Sequence, residues 1–227
     1  MIKRSYHQYC ALAKALDVVG ERWTLLILRE LITGPKRYKD LVGALPGMGT
    51  NLLATRLKEL EESRLLERRP LSTHAGVFVY QLAYRGKKLG PALQELARWG
   101  FALLGQAEHD ETFRPHWAIS FLYGAFDAKA AEGLNETYQF IVGPETIQIQ
   151  VHGKKMNVLQ EAAPKPDLTF TLEEQTLIEI IGRQLTFSAA LDRKKIQTIG
   201  DTPVLQHFFK IFGTRPGEEK NSWVTLG

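Results

Sequence analysis

Leucines at positions 53, 57 and 60 recur at i, i+4 and i+7, the spacing of one face of an α-helix. The pattern predicts a helix over residues 50–64. Asn51, Thr55, Lys58 and Glu62 fall on the opposite face. That face has short hydrogen-bonding side chains near its start and acids (Glu59, Glu61, Glu62) near its end. Upstream, apolar positions Leu12, Ala15, Leu16 and Val19 predict a first helix over 9–19, closed by Gly20. A second, over 21–32, would bury Trp23, Leu26, Ile27, Leu31 and Leu28. Gly34-Pro35 breaks it, and a short helix over 38–45 leads into a tight turn at Pro46-Gly47-Met48-Gly49. Downstream, 65–71 and 77–84 have the character of strands joined by Ser72-Thr73-His74-Ala75-Gly76. Three helices followed by a hairpin with a basic first strand predict a winged helix-turn-helix, with 72–76 as the wing.

Residues 85–105 predict one long helix with a stripe of Leu89, Leu93, Leu96, Trp99 and Leu103. The stripe exceeds what one small domain can bury. A polar stretch at 110–115 then marks a boundary between domains 1–109 and 116–227. The second domain should open with an aromatic helix over 116–129. Strands at 136–142, 146–152, 155–161, 167–171 and 196–199 follow, with helices at 172–183, 187–191 and 202–212. In 146–151, isoleucines and Val151 alternate with glutamines, the period of a half-buried antiparallel strand. The expected fold class is α+β, a winged helix-turn-helix followed by an α+β domain with a mainly antiparallel five-stranded sheet.

Charge sharpens the division. Residues 1–110 carry 17 Lys and Arg against 11 Asp and Glu, and residues 111–227 carry 12 against 14. A basic first half makes a polyanion its natural partner. The single cysteine, Cys10, rules out an internal disulfide and a cysteine-rich zinc site. The opening MIKRSYHQYC lacks the features of a signal peptide, and no apolar run is long enough to span a bilayer. The expectation is therefore a cytoplasmic protein with no membrane partner. No metal-ligand spacing, Gly-rich phosphate loop or nucleophile elbow is present, so neither an enzyme nor a cofactor is expected.

On a helix laid in the major groove, early residues reach base edges while the flanks meet phosphate. That places Thr50, Asn51, Ala54, Thr55 and Lys58 toward double-stranded DNA. Asn51 suits adenine, and Ala54 or Thr55 suits a thymine methyl. Lys36, Arg37, Tyr38, Lys39, Arg69, Thr73 and His74 are phosphate candidates. Arg56 could clamp phosphate or pair with an acid such as Glu59 or Glu30.

The run Gly20-Glu21-Arg22-Trp23-Thr24-Leu25-Leu26-Ile27-Leu28-Arg29-Glu30-Leu31 resembles the HxlR-type transcriptional regulators. So do Cys10, Leu16-Asp17, Leu45-Pro46-Gly47, Arg56-Leu57-Lys58-Glu59-Leu60-Glu61 and Leu66-Glu67-Arg68. The resemblance covers about a hundred residues and implies operator binding as a homodimer, the interface made by the N-terminal helix and the 85–105 helix. Two positions depart from the family: Ala11 where proline is common, and Gly49 where the recognition helix often follows serine. Some members use a cysteine near Cys10 as an oxidant or electrophile sensor, which needs an exposed low-pKa thiolate. A buried cysteine acting as a small apolar residue is the simpler expectation.

Tyr138-Gln139-Phe140, Gly143, Pro166 to Thr171, Leu177, Gly182, Lys195-Ile196 and Gly200-Asp201 resemble a sterol-carrier-protein type 2 domain. That resemblance implies an apolar tunnel, a lipid-like small-molecule effector and no catalysis. Phe121, Tyr123, Phe126, Phe140, Ile180, Ile181, Phe187, Leu205, Phe208 and Phe209 are the candidate lining, each of which could instead simply fill the core. Two readings of the second domain remain at this point: a ligand sensor, or a structural and dimerising module.

Overall fold

The computed structural model describes residues 5–71, 76–101, 103–104, 111–118, 122–123 and 125–213. The chain divides into two units, 1–93 and 94–227.

Unit one begins with α1 (Ala11–Val19) and α2 (Thr24–Ile32). Gly20 closes α1 in right-handed geometry, not the left-handed turn that usually calls for glycine. Its lack of a side chain matters for another reason: a Cβ there would stand 2.6 Å from the Leu16 carbonyl oxygen. The apolar face of α1 is largely uncovered. Ala13 is its one buried residue, while Leu12 and Leu16 are exposed. Helix α2 starts three residues later than the apolar run suggests, because Trp23 adopts a left-handed φ of 76° at its N-cap. Ile27, Leu28 and Leu31 are core as expected, but Leu26 is 40% exposed and Trp23 only half-buried.

A two-residue strand that the sequence pattern did not reveal, β1 (Lys36–Arg37), precedes α3 (Tyr38–Ala44). The turn then delivers α4 (Thr50–Glu62), whose Leu53, Leu57 and Leu60 are buried on the predicted stripe. Strands β2 (Leu66–Pro70) and β3 (Phe78–Leu82) form the wing hairpin. β1 adds to the outer side of β3, giving the sheet order β1-β3-β2.

The expected long helix over 85–105 is two helices, α5 (Tyr84–Lys87) and α6 (Gly90–Phe101). Pro91 explains the break. It has no N–H to continue α5, yet it fits the first turn of a new helix. Leu89 and Leu93 pack on the core of unit one. Leu96, Trp99, Leu103 and Leu104 are exposed, Trp99 at 59%.

Past α6, unit two continues with a 3-10 turn at Pro115–Ala118. The aromatic helix expected over 116–129 is shorter than that. Described residues 122, 123 and 125 are helical, and the chain then turns. The Asp127 carboxylate accepts from the backbone N–H of Lys129 and Ala130 (both 2.9 Å), a side-chain cap that competes with helix continuation.

Five strands follow: β4 (Asn135–Val142), β5 (Glu145–His152), β6 (Lys155–Leu159), β7 (Leu168–Leu172) and β8 (Ile196–Gly200). Their order is β6-β5-β4-β7-β8, antiparallel except for the parallel β4–β7 pair. Helices α7 (Glu174–Ile181), α8 (Phe187–Asp192) and α9 (Thr202–Phe212) complete the unit. Within β5 the alternation is imperfect. Ile147, Ile149 and Val151 are buried, but so is Gln148, held in a ladder with Glu161 (3.1 Å) and Gln150 (3.1 Å).

Candidate nucleic-acid interface

The buried leucine stripe fixes which side of α4 turns outward. Thr50, Asn51, Ala54 and Lys58 are exposed, and Thr55 is half-buried. The Thr55 hydroxyl donates to the Asn51 carbonyl at 3.0 Å, which leaves its methyl as the outward group. Lys58 lies 4.0 Å from Glu62 with both side chains largely exposed, a loose pairing of little energetic weight. Gly49 caps α4 without any side-chain hydrogen bond. The Tyr38 hydroxyl supplies an anchor instead, donating to the Thr50 carbonyl at 2.7 Å and so tying the start of α3 to the start of α4.

Arg56 takes the inward of the two roles open to it. Its guanidinium reaches Glu21 at 2.8 Å and Glu59 at 2.5 Å, with the side chain only 17% exposed. It fastens α4 to the loop before α2. Glu30 is not its partner. Glu30 is wholly buried and is held by Arg29 through Nε (3.0 Å) and Nη2 (2.7 Å). Burial pushes the Arg29 guanidinium down, and Glu30 beside it pushes back.

Lys36 and Arg37 are half-buried in β1, and Lys39 is exposed on α3. On the hairpin, Arg69 pairs with Glu67 at 2.8 Å. Hydrogen bonds from Arg69 and then Gln81 hold the Glu67 carboxyl below its ordinary range, and Arg69 is raised by the same pairing. Thr73 and His74 lie outside the described residues. Arg68 was not singled out by the sequence pattern. It is exposed, and its guanidinium sits 4.0 Å above the Phe78 ring, held on the outward face of the hairpin. The signal was present in the run Arg68-Arg69 followed by an aromatic across the hairpin.

Cys10 is exposed, so the expectation of a buried cysteine is corrected. It lies at the N-cap of α1, the helix whose apolar face is uncovered.

In unit two the candidate lining residues gather around one aromatic cluster. Phe140 stacks on Phe170 (4.7 Å), and Phe208 contacts Phe170 (4.7 Å) and Phe187 (5.4 Å). Phe209 reaches Phe187 (6.2 Å), and Phe126 reaches Phe212 (6.0 Å). Tyr123, Ile180 and Leu205 pack against the same core half-buried, and burial raises the Tyr123 hydroxyl. Ile181 is half-buried on α7. Phe121 lies outside the described residues. Phe140 and Phe208 are core residues that spend their faces on neighbouring rings.

Three histidines of unit two have hydrogen-bond partners. His116 meets Glu145 at 2.7 Å, His152 meets Asn135 at 2.5 Å, and His207 meets Glu136 at 2.6 Å. Glu136 also accepts from the wholly buried Tyr138 hydroxyl. Desolvation first, then that hydrogen bond, pushes the Tyr138 hydroxyl far above its ordinary value. Among the described residues no group of three or more His, Cys, Asp or Glu side chains could hold a metal ion.

The fold is that of a winged helix-turn-helix DNA reader joined to a sterol-carrier-like α+β domain. Residues 18–108 match the family described as HxlR-like helix-turn-helix, and residues 125–213 match the SCP-2 sterol transfer family. The HTH-type transcriptional regulator YodB of Bacillus subtilis (strain 168) is 36% identical over 85 residues, 37% of this chain and 76% of that protein. Mb3122 of Mycobacterium bovis, an uncharacterized HTH-type transcriptional regulator, is 39% identical over 98 residues, 43% of this chain and 61% of that protein. A crystal structure of quinone-bound YodB from B. subtilis matches with 34% identity and a TM-score of 0.35, covering 39% of this chain and 93% of that one. The chain belongs to the HxlR-like helix-turn-helix family of transcriptional regulators, and it carries an SCP-2-like domain as well.

Proposed function

We propose that this protein is a homodimeric, sequence-specific DNA-binding regulator working in the cytoplasm, with α4 as the recognition helix. The outward face of α4 carries the reading. Thr50, Asn51, Ala54 and Lys58 are exposed, free of acid in the first turn, and backed by a buried leucine stripe. Lys36, Arg37, Lys39, Arg68 and Arg69 are the phosphate-facing complement. Tyr38 and Arg56 set the helix in place.

Dimerisation is supported by apolar surface that unit one does not cover, Tyr9, Leu12 and Leu16 around α1, and by Leu96 and Trp99 on α6. A twofold dimer would present two recognition helices to a pseudo-palindromic site. The second domain takes an apolar effector, and the half-buried Tyr123, Phe126, Ile180, Phe187, Leu205 and Phe209 are the side chains nearest to hand for it. The competing reading, a second domain that only scaffolds the dimer, draws on how fully the rings of Phe140, Phe170 and Phe208 pack against one another.

The test is selection of bound fragments from a random duplex pool by the full chain. Enrichment of an inverted repeat is expected, lost with Asn51→Ala and Ala54→Asp. Enrichment of nothing above bulk duplex would sink the reading. Native mass spectrometry of the same preparation separates the two readings of the second domain: a lipid-sized adduct on the dimer supports the effector, and a clean dimer supports the scaffold.

A further inference from the structure

Strand β8 is one edge of the five-stranded sheet and, among the described residues, pairs only with β7. Ile196 at its start is buried, but Gln197, Thr198, Ile199 and Gly200 are all exposed, Ile199 at 75%. An edge of this kind invites another strand, and proteins usually blunt it with an internal charge, a proline or a bulge. The five residues Ile196–Gly200 contain neither charge nor proline, and the register with β7 runs through them without a bulge. The charges lie immediately outside and differ in sign at the two ends. Lys194 and Lys195 precede the strand, and Asp201 follows it. The Asp201 side chain makes no capping hydrogen bond to α9, so its carboxylate is not committed to its own helix.

This pattern is complementary to itself in one direction only. A second β8 laid alongside in parallel sets lysine beside lysine and aspartate beside aspartate. Laid antiparallel about a twofold at Thr198, it sets Lys195 opposite Asp201 at both ends. Gln197 then stands opposite Ile199, and Thr198 opposite its own copy. Opposite charges and paired threonines on directly facing positions both favour a ladder. The two Ile199 side chains meet on a diagonal of the outer face, within reach of each other. Lys195 already touches Glu179 at 2.7 Å, but it is 41% exposed and its mobile ammonium can bridge two carboxylates.

We propose that β8 is a self-pairing edge: the second domains of two copies of this chain join antiparallel about Thr198, making one continuous ten-stranded sheet. The partner is a second copy, not an unrelated chain, because the sequence matches its own reverse in charge. The inference stands independently of DNA recognition by α4.

Cross-linking tests it directly in the full chain. Facing Cα atoms in an antiparallel ladder lie about 4.5–5.5 Å apart, within the span a disulfide accepts. In a Cys10→Ser background, Thr198→Cys is therefore expected to form a disulfide dimer under mild oxidant at least about tenfold faster than Asn157→Cys on the opposite edge. Both variants share whatever dimer the first domain makes, so equal rates would overturn the proposal. Charge supplies the second arm. Lys195→Asp alone and Asp201→Lys alone should each slow the Thr198→Cys cross-link by setting like charges opposite. Mixing the two, each carrying Thr198→Cys, should restore it as a heterodimer. Failure of the mixture to exceed either variant alone would overturn the antiparallel register, even if each variant folds normally by circular dichroism.

Discussion

The two units solve the same packing problem with different residues. The fully buried cluster of unit one is aliphatic: Ile27, Leu28, Leu31, Leu41, Leu45, Leu53, Leu57, Leu60 and their neighbours, with no aromatic among them. Unit two centres on Tyr138, Phe140, Phe170, Phe208 and Phe212, in ring contact at 4.7–6.3 Å. Unit one places its aromatics at or near the surface, with Tyr6, Tyr9, Phe78 and Tyr84 all exposed. A leucine core needs volume and little else, so side chains of every other kind are left for the surface. An aromatic core fixes ring geometry, and its chemistry points inward.

The largest effects should come from opening either core. Phe208→Ala removes a ring that touches Tyr138, Phe140, Phe170, Phe187, Phe209 and Phe212, and is expected to cost about 3–5 kcal/mol. Leu57→Ala should cost roughly 2–5 kcal/mol. Calorimetry of the full chain is expected to show two transitions, with each variant lowering only one. A single transition displaced by both variants would mean that the units are one cooperative body, and the comparison would fail.

Next is a high-pH effect confined to unit two. The folded Tyr138 hydroxyl holds its proton above the ordinary tyrosine range. Above about pH 10 the unfolded chain loses that proton while the native state keeps it. The unfolded state then binds fewer protons, so stability falls as pH rises, by up to about 1.4 kcal/mol per pH unit. Below pH 10 this contribution is fully present. Denaturant melts across pH 9 to 11 check it. Tyr138→Phe should remove that part of the slope, at the cost of a donor to Glu136. An unchanged slope in the variant would show that the buried hydroxyl does not govern it.

On the DNA side, Asn51→Ala should lose about 1–3 kcal/mol of discrimination at one base pair. Lys39→Gln should weaken all sequences alike and lower the salt slope by about 1. Arg56→Ala sharpens the contrast: it should lower stability by about 1 kcal/mol or less, because its partners are about two-fifths exposed, and leave the salt slope unchanged. A reduced slope would return Arg56 to the phosphate contacts.

Legibility followed the same division. The period of Leu53, Leu57 and Leu60, with the turn before it and the hairpin after it, located α4 and its outward face. The five strands and α9 of unit two were also legible, from alternation and from turn residues. The sites were harder. Whether Arg56 faces phosphate or Glu21 depends on a residue 35 positions away, which no local pattern reports. Strand β1 escaped notice because two residues have no period, and its existence depends on pairing with Tyr80 and Val79. Leu12 and Leu16 are exposed, and their periodicity marks a face as apolar without saying whether this chain or another covers it. For the phenylalanines the pattern is silent in a different way, since the same residue fills a core or lines a pocket.

The smallest effect should appear where unit one's uncovered apolar face begins. The Asp17 carboxylate on α1 accepts from the Tyr6 backbone N–H at 2.9 Å and from the Ser5 hydroxyl at 3.0 Å, with Lys14 at 3.8 Å. The Tyr6 hydrogen bond is the main reason its pKa lies below the usual aspartate range. A depressed native value means that the stabilisation is present above about pH 4 and is lost as pH falls through the lower native value. The segment carrying Tyr6 and Tyr9 should therefore detach from α1 in acid while the leucine core stays intact. The Tyr6 amide proton reports it: its NMR shift should titrate with Asp17, below the range of a free aspartate, and the titration should vanish in Asp17→Asn. A Tyr6 amide that titrates in the ordinary range would mean that Asp17 does not hold the segment, and that the apolar residues at this end are kept in place by something other than their own helix.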